Sequence, residues 1–228
     1  MKRSKSIQNA YDKIDRLKQY PLSEAIKLMQ ELSTVKFDPT AEVHFSLGID
    51  PRHADQQVRS TISLPHGIGK SVRVVAFCSD DKVKAAKSAG AVDAGGGTLI
   101  DKILTKGWTD FDVAVATPEM MKELAKAARV LGPKGLMPNP KAGTVTMDIE
   151  KTVKELVAGR LEFRNDKTGI VHTVFGKLSF GDKKLLENLE AMIKAVKEAK
   201  PTGSKGNYIN NVTINSTMGA GIKIELPA

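Results

Sequence analysis

The sequence has one cysteine, few aromatic residues and no long apolar run, and each shortage excludes a class of protein. A single cysteine in 228 residues excludes an internal disulfide framework and suits a reducing compartment. The longest apolar runs, such as Val72–Cys78, are interrupted by charge and fall far short of the roughly 18 residues that a membrane helix needs. The amino-terminal residues are basic, but no apolar segment follows them, so we expect no secretory signal.

The charge balance points toward a polyanionic partner. Thirty-five Lys and Arg residues face 26 Asp and Glu residues, which gives a net charge of +9. Such a chain favours nucleic acid first and an anionic membrane surface second, although charge alone leaves an ordinary lysine-rich surface about equally open. Aromatic residues make up only 5% of the chain, which argues against a platform for stacking single-stranded bases. A nucleic-acid-binding protein of this composition should therefore recognise folded RNA through its backbone and 2′-hydroxyl groups.

The two ends of the chain share one pattern. Apolar and polar residues alternate over 41–49, 58–64, 170–174 and 208–214, which predicts strands with one solvated face. Residues 183–200 have apolar side chains at helical spacing and predict a long amphipathic helix. A further strand is predicted over Thr217–Leu226. Together, the segments at the two ends of the chain would make one discontinuous α+β domain.

The middle of the chain has a different pattern. Val72–Phe77 is a nearly continuous apolar strand, as expected where both faces of a sheet are covered. A helix near Leu99–Leu104, an apolar strand at Val113–Ala116 and a helix over Glu119–Leu131 follow it, so strands and helices alternate. We predict an α/β fold class with two domains: a discontinuous α+β domain of residues 1–67 and 160–228, and an inserted Rossmann-like, three-layer α/β domain of residues 68–159.

Motifs for catalysis or metal binding are incomplete. Gly69-Lys70-Ser71 resembles the end of a phosphate-binding loop, but Leu64 stands where the first glycine is needed. Gly95–Gly97 precedes a helix with no evident strand directly before it, so dinucleotide binding is disfavoured. Cys78 is a lone thiol with no base nearby in the pattern. The histidines are scattered along the chain, so we expect no catalytic residue, no metal site and no cofactor; they are His44, His53, His66 and His172.

Three loops carry chemistry suited to RNA. Residues 132–144 combine three prolines, three glycines and two lysines, and physics alone leaves a rigid structural loop and an anion-contacting loop equally open. Residues 164–169, Arg-Asn-Asp-Lys-Thr-Gly, predict a hairpin turn with donors for phosphate and ribose. Met218, beside Gly219, would ordinarily be a core residue, but if exposed it could pack on a ribose or a base.

Six segments, taken in order, resemble the family of bacterial large-subunit ribosomal protein one, the stalk protein beside the tRNA exit site. They extend over nearly the whole chain, and the proline-rich loop and the Arg-Asn-Asp-Lys-Thr-Gly turn are the most specific. The segments are 36–38, 47–52, 63–67, 132–144, 159–169 and 217–219.

The resemblance implies a non-catalytic, ribosome-bound protein of the cytoplasm, monomeric when free, with no membrane partner. It implies binding to the stalk of large-subunit ribosomal RNA, chiefly through the domain that holds both termini. It also implies a part in the release of deacylated tRNA from the exit site and repression of translation of its own operon messenger RNA. Each of these is an expectation at this point.

Carried over position by position, the resemblance implies an RNA surface that includes two carboxylates and one phenylalanine that the apolar pattern alone would assign to the core. We expect the turns around 164–169 and 217–219 to converge on this surface, with secondary RNA contacts at Lys134 and Lys141. The implied RNA-binding residues are Lys36, Phe37, Thr40, Glu42, Arg164, Asp166, Lys167, Thr168, His172, Thr217, Met218 and Gly219.

Two other classes of function stay open on the residues alone. One is an enzyme whose inserted domain binds a nucleotide at a switch point of its sheet, and tight magnesium-dependent nucleotide binding would favour it. The other is a protein-interaction module whose basic surface meets an acidic partner, and binding that survives nuclease treatment would favour that.

Overall fold

The structure is a computed structural model that describes residues 5–204 and 206–226. It divides into two compact units, one made of the chain up to Gly69 and from Phe163 onward, the other of Lys70–Glu162. The helices are α1 (Lys5–Asp12), α2 (Leu22–Glu31), α3 (Asp80–Ser88), α4 (Gly97–Lys106), α5 (Met121–Leu124), α6 (Ala128–Leu131), α7 (Ile149–Val157) and α8 (Asp182–Glu198). The strands are β1 (Thr40–Leu47), β2 (Arg59–Ser63), β3 (Val74–Phe77), β4 (Asp93–Gly95), β5 (Val113–Ala116), β6 (Arg160–Arg164), β7 (Ile170–Lys177), β8 (Ile209–Ser216) and β9 (Ile222–Ile224).

The first unit is built on an antiparallel sheet in the order β7-β1-β8-β9. Along β1 every second side chain is buried, from Ala41 through Val43 and Phe45 to Leu47. Helices α2 and α8 pack on that face, and both carry apolar residues at helical spacing. The other face of β1 carries polar, half-exposed side chains, and we call this side of the sheet the open face.

The second unit is a three-layer sandwich around the parallel sheet β4-β3-β5. Val75 and Phe77 of β3 pack toward α4, α5 and α6, whereas Val74 and Ala76 pack toward α3 and α7. All four residues of β3 are fully buried, which explains their unbroken apolar run. The predicted α/β class is confirmed.

Several elements differ from the sequence prediction. The helix predicted over Glu119–Leu131 is two short helices, α5 and α6, with a 3₁₀ turn between them. The strand predicted over Thr217–Leu226 is shortened to β9, because a tight turn follows Ser216. A strand does precede Gly96: β4 is only three residues long, and its Asp-Ala-Gly sequence has too little apolar pattern to reveal it.

Helices α1 and α7 have no counterpart in the prediction. Helix α7 buries Ile149, Val153 and Leu156, whose spacing of four and three is the ordinary signal of an amphipathic helix. None of the helices in the described ranges combines the length and the apolar character that crossing a membrane demands.

A buried amide joins three parts of the first unit. Asn188 of α8 is fully buried, and its Oδ1 accepts a bond of 3.1 Å from the His66 amide. Its Nδ2 donates to the carbonyl oxygens of Gly67, at 3.1 Å, and Phe175, at 2.8 Å. Because buried polar groups are costly without partners, this single side chain holds the segment that leads out of the first unit against α8 and β7.

Asn188→Ala should destabilise the first unit strongly, because three backbone groups lose their partner at once. We expect a loss of about 2–4 kcal/mol in the free energy of unfolding, measured by urea denaturation. Glu190→Ala, two residues along on the exposed side of α8, is the control and should change it by less than about 0.5 kcal/mol. An Asn188 variant as stable as the control would contradict this role.

Candidate nucleic-acid interface

Strand register places the expected RNA-binding residues of the first unit at both ends of the open face. Thr40 pairs with Lys177, and Ala41 pairs with Ser216, so Thr217–Gly219 lies at the beginning of β1. Ser46 pairs with Ile170, so the turn before β7 lies at the other end. At about 3.3 Å per residue, the length of β1 separates the two turns by roughly 20 Å. The two turns therefore do not meet, and a single RNA surface that includes both has to run along the open face.

Thr217 is hydrogen-bonded to the first residue of β1, Thr40, at the first end of the open face. Its hydroxyl accepts a bond of 3.1 Å from the Thr40 amide and lies 3.3 Å from the Thr40 carbonyl oxygen, to which it donates. The Thr217 amide donates to the same carbonyl at 3.0 Å. Both threonines are half-buried, so these hydroxyls position the chain more than they present themselves to a ligand.

The turn that follows Thr217 holds Met218 exposed to solvent in a strained backbone conformation. Met218 has a φ of 62° and is the non-glycine residue with positive φ in the described chain, and its side chain is 75% exposed. The left-handed region costs a non-glycine residue about 1–3 kcal/mol, and such strain collects at functional sites. Gly219 closes the turn with a 2.7 Å bond to the Ser216 carbonyl. A Cβ on Gly219 would lie 2.3 Å from the Ser216 hydroxyl oxygen, so a side chain here would displace the turn.

The segment before β1 adds an exposed aromatic ring and a cation to the same end. Phe37 is 53% exposed, so its assignment to the core from apolar pattern is wrong, and Lys36 beside it is exposed. Lys177, which sequence reasoning missed, donates to the Thr40 hydroxyl at 2.9 Å and to the Asp38 carbonyl at 3.2 Å. Only strand pairing reveals it, because it is 137 residues from Thr40.

Asp166 organises the turn at the second end. Its carboxylate accepts bonds from the Thr168 hydroxyl, at 2.6 and 2.8 Å, and from the amides of Thr168 and Ile170, both at 2.8 Å. The Thr168 hydroxyl, followed by the Ile170 amide, lowers the pKa of Asp166 to about 2. The carboxylate oxygens are thus occupied as acceptors inside the turn, and the group keeps its negative charge at neutral pH. Arg164 and Lys167 are exposed and form no ion pair within the described chain.

The middle of the open face carries a chain of polar side chains. His44 Nδ1 lies 2.8 Å from His172 Nδ1, and His44 Nε2 lies 2.8 Å from Asn215 Oδ1. Glu42, 35% exposed, approaches His44 Nε2 at 4.0 Å. His44 and Asn215 were not expected at the site. Alternation along β1 is the signal that could have found His44, because it shares a face with Thr40 and Glu42.

Lys134 and Lys141 lie in the second unit and are not brought together with the other residues by the fold of the first. Both are exposed. Their loop is rigid: the Asn139 side chain accepts a bond from the Lys141 amide at 2.8 Å, and the Asn139 amide donates to the Thr144 hydroxyl at 2.8 Å. These bonds fix the backbone around Lys141, whereas Lys134 donates through its Nζ to the Thr109 hydroxyl.

The glycine-rich connection between β4 and α4 is crowded at Gly96 but open at Gly97, where an added Cβ would meet nothing within 4 Å. A Cβ on Gly96 would already lie 3.2 Å from the Met120 methyl carbon. Cys78 is fully buried, and burial raises the pKa of its thiol, which makes it a poor nucleophile. Within residues 5–204 and 206–226, no three His, Cys, Asp or Glu side chains are grouped to hold a metal ion.

Comparisons with known proteins agree with the resemblance. The sequence pattern of the "Ribosomal protein L1p/L10e family" matches residues 29–220. The chain is also 51% identical, over its whole length and 97% of the relative's, to "Large ribosomal subunit protein uL1" of Chloroflexus aggregans. The match includes all twelve residues of the first unit that have an expected RNA role.

Asp166→Asn should make the turn less stable at neutral pH than at acid pH relative to wild type. The folded-state pKa of about 2 lies below the ordinary value of 3.8, so the carboxylate stabilises the fold above about pH 4. That contribution is lost as the pH falls from about 4 toward 2. The difference in unfolding free energy between wild type and variant should therefore shrink with acidification; a constant difference would show that the carboxylate does not organise the turn.

Proposed function

Because the chain belongs to the ribosomal protein L1p/L10e family, we propose that the open face and its two ends bind the stalk of large-subunit ribosomal RNA. The family consists of structural ribosomal proteins, so this chain is a constituent of the large ribosomal subunit and is not an enzyme. The alternative of a nucleotide-binding enzyme is therefore wrong. RNA binding follows from the family, and what is proposed here is the surface and the target.

The observation that carries the proposal is an uncovered polar sheet face with exposed apolar side chains at one end and unpaired cations at the other. Phe37 and Met218 can pack against riboses or bases, and burial of their apolar surface would stabilise the complex. Arg164 and Lys167 can meet phosphates across the width of a helix groove. The polar groups between them suit 2′-hydroxyls, which both donate and accept hydrogen bonds.

Glu42 fits this surface despite its negative charge. A carboxylate repels phosphate, but it accepts hydrogen bonds from a 2′-hydroxyl or from an exocyclic amine of a base. Its place near His44, away from the cations at the second end, suits a contact with ribose or base. Such a contact would favour RNA over DNA at this point.

We further propose that the protein represses translation of its own operon messenger by binding a stalk-like structure with the same surface. Release of deacylated tRNA from the exit site is the second proposed activity, with Lys134 and Lys141 as candidate contacts outside the open face. Both proposals rest on the family resemblance. If one surface serves both RNAs, the messenger must compete with stalk RNA, and every variant that weakens one complex must weaken the other in proportion.

The proposed target can be tested by a gel-shift titration against a transcript of the stalk, with an unrelated RNA duplex of equal length as competitor. We expect a preference for stalk RNA that survives at high salt, because base and 2′-hydroxyl contacts are less screened than phosphate contacts. Equal binding to both RNAs that collapses together with salt would overturn the proposal. It would leave only generic attraction by the charge of +9.

Met218→Ala should weaken stalk binding about tenfold, the effect of losing roughly 1–2 kcal/mol of apolar burial. Met147→Ala is the matched control: this methionine is 58% exposed but lies in the second unit. Circular dichroism should show both variants folded. A folded Met218 variant with wild-type affinity would remove Met218 from the interface.

Lys167→Ala should lower affinity and make the dependence of log K on log salt shallower by about one, as expected if it neutralises one phosphate. Lys194→Ala changes the net charge equally, but this lysine is exposed on α8, which covers the opposite face of the sheet. The control should leave the slope unchanged. Equal slopes for the two variants would mean that only overall charge matters.

A further inference from the structure

Two histidines are joined directly across the middle of the open face. His44 of β1 and His172 of β7 are partners in the strand register, and their Nδ1 atoms are 2.8 Å apart. A hydrogen bond between two nitrogens needs one proton between them. One ring therefore donates through Nδ1, and the other accepts there with its lone pair.

The neighbours of His44 decide which ring donates. Asn215 Nδ2 faces the Ser216 carbonyl oxygen at 3.4 Å, which leaves Asn215 Oδ1 turned toward His44 Nε2. His44 Nε2 must therefore carry a proton, and Glu42 at 4.0 Å favours the same arrangement. A neutral His44 then has its lone pair on Nδ1, so His172 is the donor in the pair.

The geometry has a place for one additional proton, and a second would break the contact between the rings. The next proton adds to His172 Nε2, which lies 3.7 Å from Asp166 Oδ2, and the contact with His44 stays intact. A proton on His44 Nδ1 would place two N–H groups against each other and break the pair.

Charged groups of both signs lie around the pair. Asp166 keeps its negative charge throughout the neutral range, and Glu42 faces the pair from β1. Two lysines lie on the same sheet. Lys177 donates hydrogen bonds to Thr40 and Asp38, and Lys223 of β9 pairs with Thr213 of β8, which in turn pairs with His44. Arg164 and Lys167 add positive charge beside His172, because the bridge between Asn165 and Val171 brings their turn next to it.

We propose that His44 and His172 make RNA binding by the open face proton-linked, with His172 taking up one proton when RNA binds. This inference rests on the proposed function. In the free protein, the carboxylates and the solvent share the stabilisation of the charged ring, whose side chain is 54% exposed. Phosphates of a bound RNA add negative potential on the exposed side, and the Nε2–H becomes a donor for a phosphate or 2′-hydroxyl oxygen. RNA therefore binds more tightly when the pair is charged, and affinity rises as the pH falls.

The test is stalk RNA affinity from pH 8 to pH 6 at constant salt, for wild type and two variants. Wild type should bind several-fold more tightly at pH 6, and about tenfold is the limit if the complex holds the proton ten times more strongly than the free protein. His172→Gln should show no such gain between pH 8 and pH 6, whatever its affinity at pH 8, because glutamine donates a hydrogen bond but takes up no proton. His53→Gln is the matched control: this histidine is exposed near Asp50, outside the open face, and its variant should behave as wild type.

Calorimetry at pH 7 in two buffers of different ionisation enthalpy gives a second readout. Wild type should take up a fraction of one proton on binding, and His172→Gln should take up none. The same RNA is used throughout, so protonation of the RNA itself would appear equally in every variant and would overturn the proposal. Preferred stalk binding that is flat from pH 8 to pH 6 would also overturn it while leaving the proposed function intact. Absence of stalk preference at every pH would instead overturn the proposed function.

Discussion

Strand β1 is paired along both of its edges, with β7 and with β8, and the rest of the first unit depends on that double pairing. Because side chains alternate along a strand, the register decides at once which residues enter the core and which face out. Val43 and Phe45 are buried under α2 and α8, and between them His44 faces out. A slip of one residue would exchange the two sets and bury a carboxylate and an imidazole. The apolar core therefore holds the polar face in place.

The same register explains the chemistry at the two ends of the open face. At one end, three bonds between Thr40 and Thr217 hold Met218 outward against its conformational preference. At the other end, Asp166 accepts hydrogen bonds from the backbone of its own turn. Arg164 and Lys167 are exposed beside it and are available for a ligand. Thr40, Thr217 and Asp166 thus hold the backbone in place, and their exposed neighbours are the residues proposed to contact RNA.

The second unit follows a different physical rule. Its parallel sheet is covered on both faces, so β3 has no open side and polar side chains are confined to loops and helix surfaces. Its lysine-bearing loop is held by bonds among Asn139, Lys141 and Thr144 and so presents cations from a rigid frame. The proposed recognition surface spread over a sheet face therefore lies in the first unit, and the second unit presents lysines from its loops and helix surfaces.

The sequence alone determined the α/β class and the main strands, because alternation and unbroken apolar runs are local patterns that report which faces are covered. It also carried the family's motifs, including the Arg-Asn-Asp-Lys-Thr-Gly turn. It did not reveal β4, which is too short to show a pattern, or the break between α5 and α6. Only the tertiary structure decided that the two turns lie at opposite ends of β1, that Phe37 is exposed, and that His44 meets His172. These facts depend on the pairing of segments 128 residues apart, and the register of that pairing is set by packing of the whole sheet against its helices.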